Sequence, residues 1–262
     1  RVDARLRPAV EMLYDQLRSL EPVVRLVNDP RRAIMRYELL RKLNDRGIND
    51  YDVFRVTGDR RPQRFPVFLR REDNHDGPIG DLLADADALE NAIAAAIAAG
   101  HPRERLMIAE YCDTRDARGL TRKYGAACVD GIIVPRHLIL RPHWVIKGPA
   151  HKETEPYMPI EEQVRIEAEY IEENPHADQL REIFEIAGIG YGRIDYAIKD
   201  GEIRVWEINT NPVISARRNL DGGLRHRTVI EPGVGKLAQA ILRLDSRFAS
   251  GSVPIDLSAA RR

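Results

Sequence analysis

Cysteine is nearly absent: the 262 residues contain two, Cys112 and Cys128. So few make no disulfide framework, and the expectation is a pair of reduced, buried and inert thiols. Net charge is missing as well. The 41 Lys and Arg balance 41 Asp and Glu, which argues against a protein built around nucleic acid, since that needs a net basic face. Long apolar runs are lacking too. The most extended, Asn91 to Ala99, is mostly alanine and falls well short of the ~20 residues that span a bilayer. No signal-peptide pattern is visible, so a cytoplasmic location without membrane or nucleic-acid partners is expected. Because residue 1 is Arg and not Met, an upstream portion is expected to be missing.

What is present is an ordinary globular composition, 43% hydrophobic and 31% charged, too apolar for a disordered chain. Arginine is abundant and lysine scarce, which suits bidentate contacts to phosphate or carboxylate, although a GC-rich genome gives the same bias. Leu6, Val10, Leu13, Leu17 and Leu20 predict a helix over 5–20. Asn28-Asp29-Pro30 reads as the start of a second helix that presents Ile34, Tyr37, Leu40 and Leu43 and ends at Gly47. A strand over 65–71 leads into a polar loop over 72–80, and an alanine-rich helix over 82–99 follows. Strands are expected at 106–111, 123–129 and 132–140, and helices at 161–173, 178–187 and 235–244. The fold class is α+β, because strands and helices do not alternate regularly.

Two glycine motifs carry no role. Gly188-x-Gly190-x-Gly192 runs from helix to strand, the reverse of a dinucleotide fingerprint. Gly233-Val-Gly235-Lys236 lacks the Ser or Thr and the first glycine of a P-loop.

The informative stretch is 191–212, a hairpin around Asp200-Gly201. Side chains alternate along a strand, so Ile194, Tyr196 and Ile198 share one face, matched by Trp206 and Ile208 on the return. Arg193, Asp195, Glu207 and Asn209 are the polar set, all odd-numbered. A two-residue turn would pair 199 with 202 and split that set across the sheet. A three-residue loop, Lys199-Asp200-Gly201 with Gly201 in a bulge, pairs 198 with 202 and gathers every odd residue on one face. This register places Arg193 opposite Glu207 with Asp195 diagonal to it. Asp, Glu and Asn oxygens on one rigid face suit magnesium, which takes one or two carboxylates and leaves room for waters and phosphates. A solvated ribbon with an Arg–Glu pair is the plainer alternative, but it does not account for Asn209-Thr210-Asn211-Pro212 at the strand's end.

Gly-Arg-Ile-Asp, then Asp-Gly, then Glu-Ile-Asn-Thr-Asn-Pro resembles the metal-binding end of the ATP-grasp superfamily, and most closely the D-alanine–D-alanine ligases and glutathione-synthetase relatives. The resemblance implies two α+β subdomains holding ATP between them, with Asp195, Glu207 and Asn209 binding Mg2+ (or Mn2+). Arg193 falls where these ligases place an arginine near the reacting carboxyl and phosphoryl groups. Arg36 and Arg70 stand where the family has phosphate-binding lysines. Glu110-Tyr111-Cys112 resembles the strand that lines the adenine pocket, and the ribose acid corresponds to Asp113 or Asp116. The segment 119–124 resembles the strand where a basic residue faces the site. Lys147 and His75 are further candidates for touching nucleotide or substrate. His137, His143 and His151 read as surface residues more readily than as pocket residues.

The implied activity is Mg-ATP-dependent ligation of a small-molecule carboxylate to an amine or thiol through an acyl phosphate. An ATP-grasp kinase acting on a hydroxyl, or a non-catalytic nucleotide-binding module, are the rivals. The implied organisation is an N-terminal helix over 1–27, read as the end of an absent domain, a small subdomain over 28–110, a metal-bearing subdomain over 111–245 and a loose tail over 246–262. A homodimer is compatible with it.

Overall fold

The computed structural model describes residues 6–20, 25–146, 157–212 and 226–245. Two four-stranded sheets, antiparallel throughout, organise the chain. The first contains β1 (Val53–Arg55), β2 (Val67–Arg71), β3 (Pro78–Leu83) and β4 (Leu106–Glu110), in the order β1-β4-β2-β3. The second contains β5 (Thr121–Val129), β6 (Ile132–Arg141), β7 (Tyr191–Lys199) and β8 (Glu202–Asn209), in the order β6-β5-β7-β8. The helices are α1 (Arg7–Arg18), α2 (Arg36–Asp45), α3 (Ala86–Ala98), α4 (Ile160–Glu173), α5 (Ala177–Ala187) and α6 (Glu231–Asp245). Among the described residues, no helix is long and apolar enough to cross a membrane.

Alternation along the strands sorts the cores. Ile194, Tyr196, Ile203 and Val205 pack with Ile183 and Phe184 of α5 and with Leu39 and Leu43 of α2. Leu40, on another side of α2, packs with Val53 and Met107 of the first sheet, so one helix is wedged between the sheets. Val67, Leu69 and Ile108 meet Leu89 and Ile93 of α3. Each such side chain contributes roughly 1.5–3 kcal/mol on burial.

Several expectations are corrected. Asn28-Asp29-Pro30 does not start α2, which begins at Arg36. Asp29 closes a single turn by accepting from the Arg31 N–H at 2.9 Å. The Asn28 side chain instead accepts from the N–H groups of Gly190 (2.9 Å) and Tyr191 (2.8 Å). This explains the glycines before β7: a β-carbon at Gly190 would stand 2.1 Å from the Val27 carbonyl oxygen. The polar loop after β2 ends at Gly77, because Pro78 opens an edge strand, a position where a missing N–H is tolerated. α3 consequently starts at Ala86, where the Asp85 carboxylate accepts from the Ala88 N–H at 2.8 Å.

The hairpin register also differs from expectation. Lys199 pairs with Glu202, so Asp200-Gly201 is a two-residue turn, with positive φ of 53° and 80° as such a turn requires. The extra residue lies further up, where Tyr196 pairs with Val205 but Asp195 pairs with Glu207. Trp206 is the bulge, and it leaves the apolar set to border the cavity described below. Odd residues above the bulge therefore share one face, but Arg193 lies opposite Asn209 and Asp195 opposite Glu207.

Candidate active site

A cavity of about 390 Å³ lies between the sheets, bordered by Arg70 of β2 and Ala109 of β4 on one side and by Lys123, His137, Asp195 and Glu207 on the other. Its ends differ. At one end the Trp144 ring lies 5.2 Å from Phe68 and 5.8 Å, edge-on, from Tyr111. The other end is charged.

Two ionised carboxylates anchor the charged end. Asp195 is 2% exposed. Burial pushes its carboxyl up, but Lys123, Arg193 and His137 outweigh that and hold it below the usual range, with Glu207 opposing them. Lys123 Nζ lies 2.6 Å from Asp195 Oδ2, and Arg193 Nε lies 3.0 Å from Oδ1. Glu207 likewise feels burial first, and His75, Arg36 and Arg70 then drive its carboxyl well below the usual range. Arg70 Nη2 donates to Glu207 Oε2 at 3.0 Å, and Arg36 pairs with the same oxygen. His75 Nδ1 lies 3.5 Å from Oε1.

Arg36 is wholly buried. Its Nη1 donates to the carbonyls of Arg71 (3.0 Å), Glu72 (3.3 Å) and Asn74 (2.7 Å). It therefore fastens the β2–β3 loop to Glu207, a use that the sequence did not suggest.

The remaining sequence candidates spread out. Arg70, Glu110, Tyr111, Cys112, Arg193, Asp195, Glu207 and Asn209 all border the cavity. The Glu110 carboxylate is engaged by the Asp52 N–H at 2.9 Å and by Arg64. Asp113 pairs with Arg115 and Asp116 with Arg122 at 3.0 Å, and neither borders the cavity. Lys147 and His151 lie outside the described residues. Sequence reasoning missed Phe68, Trp144, Trp206 and Thr114, and it underrated His137; all five border the cavity. Of the segment 119–124, Thr121 and the basic residue Lys123 border the cavity.

Among the described residues, no three His, Cys, Asp or Glu side chains cluster so as to hold a metal unaided. The donors present nevertheless fit a magnesium ion that shares its shell with phosphate oxygens and water: two adjacent ionised carboxylates and the Asn209 amide. The cations on these carboxylates match the charge of a polyphosphate.

A solved structure of the ATP-grasp ligase PsnB, complexed with precursor peptide PsnA2 and AMPPNP, superposes with a TM-score of 0.50. The match covers 93% of this chain and 70% of that one at 15% identity. This chain has an ATP-grasp fold. D-alanine–D-alanine ligase from Bacillus anthracis, complexed with ATP, matches with a TM-score of 0.49 and 17% identity, over 89% of this chain and 73% of that one. No family model matches the sequence, and no curated protein matches it.

Proposed function

We propose that this protein is a Mg-ATP-dependent ligase that joins a carboxylate to an amine or thiol through an acyl phosphate. The observation that carries the reading is the Asp195–Glu207 pair, ringed by Arg70, Lys123, Arg193 and His75, at one end of a cavity whose other end is aromatic. The ATP-grasp fold supports it.

In this reading the nucleotide lies between the subdomains 28–110 and 111–245, with its base against Phe68, Tyr111 and Trp144. Asp195, Glu207 and Asn209 would hold Mg2+ (or Mn2+), which supplies neutralisation of phosphate charge when bound. Arg70 and Lys123 border the same end and contribute fixed positive charge toward the phosphates. The substrate carboxylate attacks the γ-phosphorus and ADP leaves; the amine or thiol then attacks the acyl carbon and phosphate leaves. Arg193, beside Asp195, is placed to stabilise the negative charge on the tetrahedral oxygen, an effect typically worth roughly 2.7–4 kcal/mol per donor. The cavity walls and the β2–β3 loop keep water from the acyl phosphate.

The test is calorimetric binding of Mg·ATP, followed by ADP release over a panel of carboxylates with amines or thiols. Glu207→Gln should abolish both. An acylated product appearing with ADP supports ligation. A phosphorylated hydroxyl product would mean a kinase, and binding without ADP release over the whole panel would mean a non-catalytic module.

A further inference from the structure

One row of the second sheet carries more than the two carboxylates. Across the strands it reads His137 on β6, Gly125 on β5, Asp195 on β7 and Glu207 on β8. The register breaks at this row on both outer ladders, between Gly125 and Ala126 and between Asp195 and Tyr196. The second break is the Trp206 bulge. The first arises because Gly125 pairs with His137 while Ala126 pairs with Pro135, which leaves Arg136 extra.

That extra residue decides where His137 points. Beyond it, Leu138 and Leu140 pack beside Val164 and Tyr170 of α4, and His137 and Ile139 border the cavity. A regular ladder would reverse that alternation, and bulges beside active sites commonly re-aim a side chain in this way. Gly125 supplies the seat. A β-carbon there would stand 2.3 Å from the Cε1 and Nε2 atoms of His137, so the ring occupies the space that any other residue would fill. Its Nε2 comes to 4.0 Å from Asp195 Oδ1. That is too long for a direct hydrogen bond, and it brings the imidazole edge to the polar end of the cavity.

A strand-interior glycine and a bulge both cost sheet regularity, and here they serve the same side chain. We propose that His137 contacts the ligand, its imidazole N–H donating to the phosphate end of the nucleotide that Asp195 and Glu207 hold. This inference rests on the nucleotide reading above. A ring that merely fills the space over Gly125 is the competing account, and the two differ in what phenylalanine can replace.

The experiment measures Mg·ATP affinity by calorimetry for the whole chain and for variants that melt with the unsubstituted protein. His137→Phe keeps the ring without the donor and should weaken binding about tenfold or more, as expected for a hydrogen bond to a charged group. His137→Asn keeps a donor and should recover affinity to within about threefold. Gly125→Ala should reproduce the loss by displacing the ring, and should add nothing in a His137→Ala background. Unchanged affinity in His137→Phe, or losses at 125 and 137 that multiply, would overturn the inference. Should Gly125→Ala fail to fold, the Phe and Asn variants decide alone. No Mg·ATP binding by the unsubstituted protein sinks both proposals. Equal binding by it and by His137→Phe, with loss in Glu207→Gln, sinks only this one.

Discussion

Asp195 and Glu207 are direct partners across β7 and β8. Like charges opposite each other on a ladder repel, and each carboxylate here is also taken from water. The sheet tolerates the pair because each has its own cations: Lys123 and Arg193 on one, Arg36 and Arg70 on the other. Charge balance is therefore local although the whole chain is neutral. A magnesium–triphosphate would enter a site already organised for alternating charge, which lowers the reorganisation that binding demands.

That arrangement makes stability depend on acid. Glu207 has a carboxyl held well below its ordinary value of 4.5 in the folded chain. An acid with a depressed folded value contributes stability that is fully present above the unfolded value and is lost as pH falls through the folded one. Denaturation midpoints should stay level above about pH 5 and then fall as the solution is acidified further. In Glu207→Gln the acid-side decline should be shallower. Parallel declines in the two proteins would show that Glu207 is not held ionised.

Arg36 should matter for folding before it matters for binding. Its guanidinium is wholly buried and serves three carbonyls as well as Glu207. Arg36→Ala leaves a buried carboxylate short of its partner, which typically costs about 3–5 kcal/mol. Lysine restores charge without the fork, so Arg36→Lys should recover part of the loss. Urea unfolding of both, with an Arg36→Ala/Glu207→Ala double variant, measures the coupling. Additive losses would mean that the two side chains do not act together.

These contacts show where a sequence stops being readable. The helix periods, the place of the hairpin around Asp200-Gly201 and the odd-numbered polar set were legible because each is written within a few residues, whereas the length of the turn was not. The bulges were not. Arg136 and Trp206 carry no mark of being extra, because a bulge is decided by which residues the neighbouring strand offers, and misplacing one moved Arg193 from Asn209 to Glu207. Arg36 meets Glu207 across a separation of 171 residues, beyond any local pattern. Asn28-Asp29-Pro30 looked like a helix start because a capping Asn or Asp followed by Pro is a start signal, yet the Asn28 side chain found the backbone at the start of β7. His137 was passed over for lack of a metal-ligand spacing, although the glycine that seats it comes from another strand.

Cys112 offers a chemical check on the cavity wall. Burial above all, and then the hydrogen bond its thiol donates to Asp50 at 3.2 Å, push its pKa up to about 12. At pH 8 the thiolate would be roughly one part in ten thousand, against about a quarter for an unperturbed thiol near 8.5. Reaction with a disulfide reagent should therefore be slow at pH 8 and rise about tenfold per pH unit. A Cys128→Ser background isolates the signal, and Asp50→Asn should speed it only in part, since burial is the larger cause. Rapid labelling at neutral pH would contradict the geometry.

Both tryptophans of the chain, Trp144 and Trp206, border the cavity. Intrinsic emission should therefore shift when Mg·ATP binds, with no reporter added. Trp144 stands with Phe68 and Tyr111 at the end proposed for the base, whereas Trp206 is the bulge residue just before Glu207. Trp144→Phe should remove most of the change, and Trp144→Ala should also weaken binding by about tenfold or more, because base stacking on an aromatic ring is worth roughly 1–3 kcal/mol. Trp206→Phe should keep most of the signal. Calorimetric binding with no change in emission would place the nucleotide outside the cavity. A signal that follows Trp206 alone would put only its phosphates there and move the base elsewhere.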